Sequence, residues 1–256
     1  IDAIKTALQR GQIPIGEIRL GIYGNEDPMY ILAGLPFIAP DYSSAWLLKD
    51  VQMGYLQEKF GKKGLMILYT SPWPGQGFYT KTPVNSVADF KGKKLRIYST
   101  ATQQMGSMLG FNATILPFAE IPQAFSTGLI EALFTSPQTG IDIQAWDNTK
   151  HFTYAGAIFS KNAVVVSKKA FNALSKDDQM NILAAAKKAE IRGWEMSAET
   201  TKKQIDILKK NGMSAKNAPD EVISKMKSIG LEMMKSWRSK ASPEANSVLD
   251  RYLSMR

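Results

Sequence analysis

The sequence predicts an α/β protein, and three observations carry that prediction. Short apolar runs alternate with helical patterns through the first two thirds of the 256 residues. A continuous apolar run, Ala163-Val164-Val165-Val166, has the form of a strand buried on both faces. A helical pattern then continues without proline from the Ser175 region to Asn211-Gly212. Alternation of this kind argues for parallel α/β layers.

In chain order, Ile13 to Tyr23 reads as extended, Ser43 to Phe60 as helical and Leu65 to Tyr69 as a strand. A solvated basic run, Lys91-Gly92-Lys93-Lys94, leads into the apolar strand Leu95-Arg96-Ile97-Tyr98, which turns at Ser99-Thr100 into a helix from Ala101 to Leu109. After Pro117-Phe118 a helix from Glu120 to Thr127 stops at Gly128. A strand from Glu131 to Phe134 and a helix from Asp142 to Lys150 precede the apolar 163–166 run.

Ser175-Lys176-Asp177-Asp178 has the form of a capping box, and Asn211-Gly212 is a good C-terminal stop. Between them Ile191, Trp194, Ala198, Thr201, Ile205 and Leu208 recur at spacings of three and four and define one apolar face. At 1.5 Å per residue this helix reaches about 50 Å, longer than a small domain is wide. It must form a coiled coil or cross two lobes. Gly193, at its middle, favours a close crossing or a bend.

Lys and Arg number 32 against 23 Asp and Glu, a net +9, which favours anionic ligands, nucleic acid or anionic membrane surfaces. Lys187, Lys188, Lys202, Lys203, Lys209 and Lys210 fall at helical spacing and read as solvated helix faces. They lack interleaved aromatics, so no nucleic-acid partner is expected. With no cysteine there is no disulfide, thiolate metal site or cysteine nucleophile. No apolar run approaches about 18 residues, so no membrane-spanning helix is expected, and residues 1–20 lack the basic and apolar blocks of a signal peptide. His151 is the only histidine, which excludes a cluster of several histidines on a metal. Hydrolase, phosphate-loop, dinucleotide and zinc-protease motifs are absent. Glu26 and Asp27 sit in an Asn-Glu-Asp-Pro turn, where carboxylates normally cap the backbone.

Two features carry binding chemistry. Arg96 sets a planar, two-pronged donor into an apolar strand, beside a helix N-terminus, at the carboxyl end where open α/β sheets bind ligands. Its partner is either an internal carboxylate or a bound anion. The segment Pro72-Trp73-Pro74-Gly75-Gln76-Gly77-Phe78-Tyr79 is a stiff loop presenting an aromatic plate and an amide; Trp73 is either a pocket wall or a core plug.

The stretch Asp89-Phe90-Lys91-Gly92-Lys93-Lys94-Leu95-Arg96-Ile97-Tyr98 resembles the carboxylate-binding strand of the solute receptors of TRAP transporters, the periplasmic DctP family. Further segments agree in order: Tyr23-Gly24-Asn25-Glu26-Asp27-Pro28, Leu35-Pro36-Phe37, the 72–77 loop, Pro122-Gln123-Ala124, Thr127-Gly128 and Ala189-Glu190-Ile191-Arg192-Gly193-Trp194-Glu195. The resemblance covers essentially the whole chain. It implies a two-lobed periplasmic-binding-protein-like α/β fold in which the long helix spans both lobes. Lobe I would hold 1–73 and 162–201, lobe II 74–161 and 202–256, with strand crossings near Ser71 to Tyr79 and Phe159 to Val165. Family members begin with a further strand, helix and strand, so part of one lobe's ligand wall is expected to lie outside this sequence.

The same resemblance assigns the site. Arg96 pairs with a ligand carboxylate, Gln76 orients it, and Ser99 contacts it from just beyond the arginine. Trp73 and Phe118 form apolar walls. Thr135, Ser136 and Thr139 meet a second ligand group, although all three equally suit capping of the next helix. Glu17 and Asn25 face the cleft from the other lobe. Some relatives carry a second arginine at the position of Gln76, and relatives that bind sialic acid have asparagine near Thr135; this chain has neither. The implied function is an extracytoplasmic receptor, a periplasmic monomer without cofactor or catalysis. It would close on a small organic carboxylate and deliver it to a small DctQ-like and a large DctM-like membrane subunit for ion-coupled uptake. The alternative is an α/β enzyme acting on an anionic substrate.

Overall fold

A computed structural model describes residues 2–256. Nine helices and nine strands are found among them, with short 3-10 turns between. The helices are α1 Asp2–Gln9, α2 Tyr42–Gly61, α3 Thr100–Met108, α4 Ile121–Ser126, α5 Pro137–Asp142, α6 Lys168–Asn172, α7 Lys176–Lys210, α8 Asp220–Lys240 and α9 Pro243–Met255. The strands are β1 Ile15–Arg19, β2 Leu65–Pro72, β3 Gly77–Thr80, β4 Lys94–Ile97, β5 Asn112–Ile115, β6 Ala132–Thr135, β7 His151–Tyr154, β8 Lys161–Ser167 and β9 Ser214–Asn217.

Two sheets form. One has three strands in the order β1-β8-β2, the other six in the order β5-β4-β6-β3-β7-β9. The expectation of parallel layers holds only locally. In the smaller sheet β8 runs antiparallel to both neighbours; in the larger, β4 is parallel to β5 and β6, while β3 is antiparallel to β6 and β7. The reason is connectivity. The chain passes between sheets three times, through 73–76, through 155–160 and along α7, and the strands entered by the first two passages, β3 and β8, run antiparallel to their neighbours. Of the spans that the resemblance implies for the crossings, Ser71 to Tyr79 contains the first of these passages, while Phe159 to Val165 overlaps the second only at 159–160.

Two expectations need correction, and one strand goes unread. Residues 20–23 of the extended segment form a 3-10 turn. The helix expected over Asp142 to Lys150 lies earlier, as α5: Ser136 caps it, and Gln144 at φ 49° breaks the chain before a single turn at Ala145–Asp147. β5, a short and largely exposed strand, carries too little apolar pattern to be read in advance.

α7 is the 35-residue helix the sequence predicts. Ser175 Oγ accepts from the Asp178 amide at 3.1 Å, and Gly212 at φ 87° follows the C-cap Asn211. The helix packs on β2 of the smaller sheet, and on α5 and β9 beside the larger one. A Cβ on Gly193 would come 3.2 Å from Ser71 Oγ, so this glycine marks a close crossing. The buried face, however, is Trp194, Ser197, Gln204 and Leu208, with Ile191 exposed. The contact face is rotated by about one residue from the apolar one because polar groups across the crossing supply hydrogen bonds. Tyr42 Oη donates to the Ser197 carbonyl at 2.7 Å, and Gln204 Nε2 to Gln138 Oε1 at 2.9 Å.

The larger sheet's core is aromatic. Phe78 lies 4.7 Å from Phe90 and 4.8 Å from Phe134, and Phe90 lies 4.5 Å from Phe111, ring centre to ring centre. This cluster locks β3 and β6 against the segments flanking β4, and so holds the Arg96 strand rigidly. No helix among the described residues is long and apolar enough to cross a membrane.

Candidate functional site: a two-arginine cavity between the sheets

A cavity of about 400 Å³ opens between the two sheets. β4 brings Arg96 to its floor. Leu95 and Ile97 fill the core on one side of the strand, and the alternation turns Arg96 the other way, leaving it only 2% exposed. Nε donates to the Leu116 carbonyl at 3.1 Å. Among the described residues no carboxylate lies within 4.0 Å of this guanidinium. Burial, with the charge of Arg19 second, lowers its pKa to about 10; Tyr98 acts in the opposite sense. The group remains charged at neutral pH, in a place where that charge is costly unless an anion enters.

Arg19 is the neighbour that sequence reasoning missed. It sits at the end of β1, opposite Asn162 of β8, and donates to the Tyr98 carbonyl at 3.3 Å. Both guanidinium groups lie over the Tyr98 ring, at 5.0 Å for Arg19 and 5.9 Å for Arg96. A signal was present: in a strand, residues two apart share a face, so Glu17 on the cleft face implies Arg19 beside it. The second arginine absent from position 76 therefore enters from a different strand and the opposite wall.

Gln76, Trp73 and their partners build the rear of the cavity. The Trp73 amide donates to the Ser160 carbonyl at 2.7 Å, which ties the two crossing segments together. Tyr98 Oη donates to Gln76 Oε1 at 2.6 Å, and Gln76 Nε2 donates to Ser160 Oγ at 3.0 Å. The amide of Gln76 is thus engaged at both ends within the protein. Gly77 follows because a Cβ there would sit 2.4 Å from the Thr153 carbonyl. Trp73 lines the cavity, and its Nε1 donates to Asn162 Oδ1 at 3.0 Å.

Glu17, Trp73, Gln76, Arg96, Phe118, Thr135, Ser136 and Thr139 of the expected residues all border this one cavity. Ser136 also caps α5, its Oγ accepting from the Thr139 amide at 3.2 Å, so lining and capping coexist. Ser99 and Asn25 lie elsewhere. Ser99 is the N-cap of α3, its Oγ 3.0 Å from Thr102 Oγ1 and accepting from the Thr102 amide at 3.2 Å; it faces a separate space of about 20 Å³. The turn after β4 aims it away from the cleft. Asn25 is carried past the cavity by the 3-10 turn at 20–23 and borders a depression beside Trp237 and Lys240. Tyr98, Asp142, Ser160 and Asn162 complete the lining and were not anticipated. His151 lies in β7 and does not border the cavity. Asp27 is structural, accepting from the Met29 amide at 2.9 Å and from Tyr55 Oη at 2.8 Å. No group of three or more metal-ligating side chains is found among the described residues.

Chemically, the cavity offers two cations, an aromatic floor, hydroxyls at one side and carboxylates of Glu17 and Asp142 at the rim. That combination suits a small anion that also carries polar groups.

Comparison with known proteins shows the family. The family described as "DctP: Bacterial extracellular solute-binding protein, family 7" matches residues 2–240. The solved structure of DctP7, a Bordetella pertussis extracytoplasmic solute receptor binding pyroglutamic acid, is 38% identical, with TM-score 0.94, covering 97% of this chain and 83% of that one. A marine metagenome TRAP solute-binding protein specific for pyroglutamate is 33% identical, with TM-score 0.93, covering 99% of this chain and 83% of that one. The 2,3-diketo-L-gulonate-binding periplasmic protein YiaO of Escherichia coli is 26% identical over 73% of this chain. The chain spans 58% of that relative's length, and 62% of a solute-binding protein from Chromohalobacter salexigens. The fold is the two-lobed α/β fold of periplasmic binding proteins with its long helix, and the chain belongs to bacterial extracellular solute-binding protein family 7, the DctP family.

Proposed function

We propose that this chain is the receptor component of a TRAP transporter, taking up a small organic carboxylate in the cavity between its sheets. The observation that carries the reading is Arg96: a buried guanidinium with no carboxylate partner among the described residues, opening onto a cavity of ligand size. Arg96 and Arg19 grip the carboxylate from opposite walls, Gln76 holds Tyr98 in place beneath it, and Trp73 and Phe118 exclude water. The hydroxyls of Thr135, Ser136 and Thr139 meet the ligand's remaining polar groups. Three structural relatives above 30% identity carry pyroglutamic acid or pyroglutamate in their descriptions, so a compact cyclic acid is the ligand class proposed.

The lobes divide at 1–73 with 162–201 and at 74–161 with 202–256. α8 and α9 reach back across the division, as Tyr252 Oη donating to the Ile38 carbonyl at 2.8 Å illustrates. Closure about the two crossings buries the ligand and forms the surface met by small and large membrane subunits. The protein works in the periplasm as a monomer, and the ligand leaves unchanged.

The test is calorimetric titration of pyroglutamate and a panel of organic acids. Removing one partner of a buried charge pair costs about 2–5 kcal/mol, so Arg96→Ala should weaken binding by more than about thirtyfold. Near-native affinity in that variant would remove the basis of the reading.

A further inference from the structure

We propose that Glu17 is the specificity-determining residue that demands a hydrogen-bond donor, N–H or O–H, on the bound acid, and that Trp73 and Asn162 set its orientation. The inference rests on the receptor reading above and extends it from the ligand's anionic end to its opposite end.

The geometry is a chain of two directional bonds. Trp73 Nε1 donates to Asn162 Oδ1 at 3.0 Å, and Asn162 Nδ2 donates to Glu17 Oε1 at 2.8 Å. An indole nitrogen only donates, so the Asn162 amide has a single orientation compatible with both contacts: oxygen toward Trp73, nitrogen toward Glu17. Trp73 is itself anchored through its backbone to Ser160, so the chain starts from the rigid crossing segment. Glu17, exposed at the cavity rim, therefore presents an acceptor held by Asn162 on the β1 wall of the cavity. No lysine or arginine among the described residues lies within 4.0 Å of it.

An acceptor held in place beside a two-arginine cavity sorts ligands. An acid that turns an N–H or O–H toward Glu17 gains a charge-assisted hydrogen bond. An acid of equal shape that turns an ether or ester oxygen there sets acceptor against acceptor and is repelled. Asp142, on the other wall, also ends a relay, Gln204 Nε2 to Gln138 Oε1 at 2.9 Å and Gln138 Nε2 to Asp142 Oδ1 at 2.7 Å, but both relay members are side-chain amides that can turn over, so no donor-only group fixes its direction as the Trp73 indole does for Glu17.

Matched pairs of acids provide the test, titrated into the folded chain: pyroglutamate against its lactone isostere, 5-oxotetrahydrofuran-2-carboxylate, and a 2-hydroxy acid against its methyl ether. The native protein should prefer the donor-bearing member of whichever pair binds by about tenfold to a hundredfold. In Glu17→Gln, Asn162 Nδ2 keeps the new amide oxygen and leaves the new nitrogen facing the cavity, so the preference should vanish or reverse. Trp73→Phe keeps the aromatic wall but frees the Asn162 amide, and should narrow the preference several-fold without lowering the melting temperature of the free protein. Equal affinity within each pair for the native chain, or full preference retained in Glu17→Gln, overturns the inference while leaving the receptor reading intact. A folded native chain that binds none of these acids and no other organic acid overturns the receptor reading, and this inference with it.

Discussion

Two cations are sealed into this molecule beside spaces that share Arg19, Tyr98 and Ser160, and their surroundings differ in one respect. Arg96 is 2% exposed and Lys161 is 5% exposed, and neither has a carboxylate within 4.0 Å among the described residues. Arg96 faces a cavity of about 400 Å³. Lys161 faces protein: its Nζ donates to Gln52 Oε1 at 2.8 Å, beside a space of only about 20 Å³. Burial, then the charge of Lys49, pushes Lys161 down to about 7. Lys49 is itself neutralised by Glu190, at 3.1 Å, and by Asp50, at 2.6 Å. The contrast separates two answers to the same electrostatic cost: a lysine can shed its proton, whereas an arginine stays charged and needs an anion from outside.

The sharpest way to break the comparison is to replace each cation by methionine. Arg96→Met should abolish measurable binding of the acid, a loss of more than about thirtyfold, while raising the unfolding free energy of the free protein by about 1–2 kcal/mol, read by denaturant melts. Lys161→Met should leave affinity within about threefold and act on stability alone. The sign follows from its lowered pKa. Between pH about 7 and 10.5 the unfolded chain holds the proton that the native chain has lost, so native stability rises with pH through that window and is flat below it. Melts across that window should show a slope of at most about 1.4 kcal/mol per pH unit from this group, and Lys161→Met should remove it. A slope that persists in the variant would assign the titration to other groups.

Arg19 offers a finer probe. It shares the Tyr98 ring with Arg96 but also has a protein acceptor of its own, so Arg19→Ala should cost about tenfold in affinity, less than Arg96→Ala. An equal or larger loss would make β1, and not β4, the principal grip. The smallest effect is expected for Tyr98→Phe, which keeps the ring under both guanidinium groups and removes only the hydroxyl that donates to Gln76. About 1 kcal/mol of stability should be lost, with affinity changed by less than about fivefold.

Arg96, the 72–79 loop and the caps of α7 were legible because each is a local statement. An arginine among Leu95, Ile97 and Tyr98 is anomalous within four residues, and Ser175 and Gly212 act on their own neighbours along the chain. Arg19 was legible in principle, from the period of a strand already assigned to the cleft. Asn162 and Ser160 were not: Asn162 borders the site because β8 pairs with β1 in one register, Asn162 against Arg19, across more than a hundred residues of chain, and Ser160 because its carbonyl accepts from the Trp73 amide of the other crossing. Ser99 shows the limit of a matched position, since its hydroxyl answers to α3 before any ligand.

The sequence by itself determined the α/β class, the long capped helix and a buried guanidinium with the character of an anion site. These follow from periodicity, capping and the cost of an arginine in an apolar strand, all of which act between near neighbours. Only the tertiary structure decided that β8 is antiparallel, which face of α7 is buried, that a second arginine meets the first, and that Trp73 and Asn162 aim Glu17. Each depends on the register between segments far apart in the chain, which no local pattern encodes.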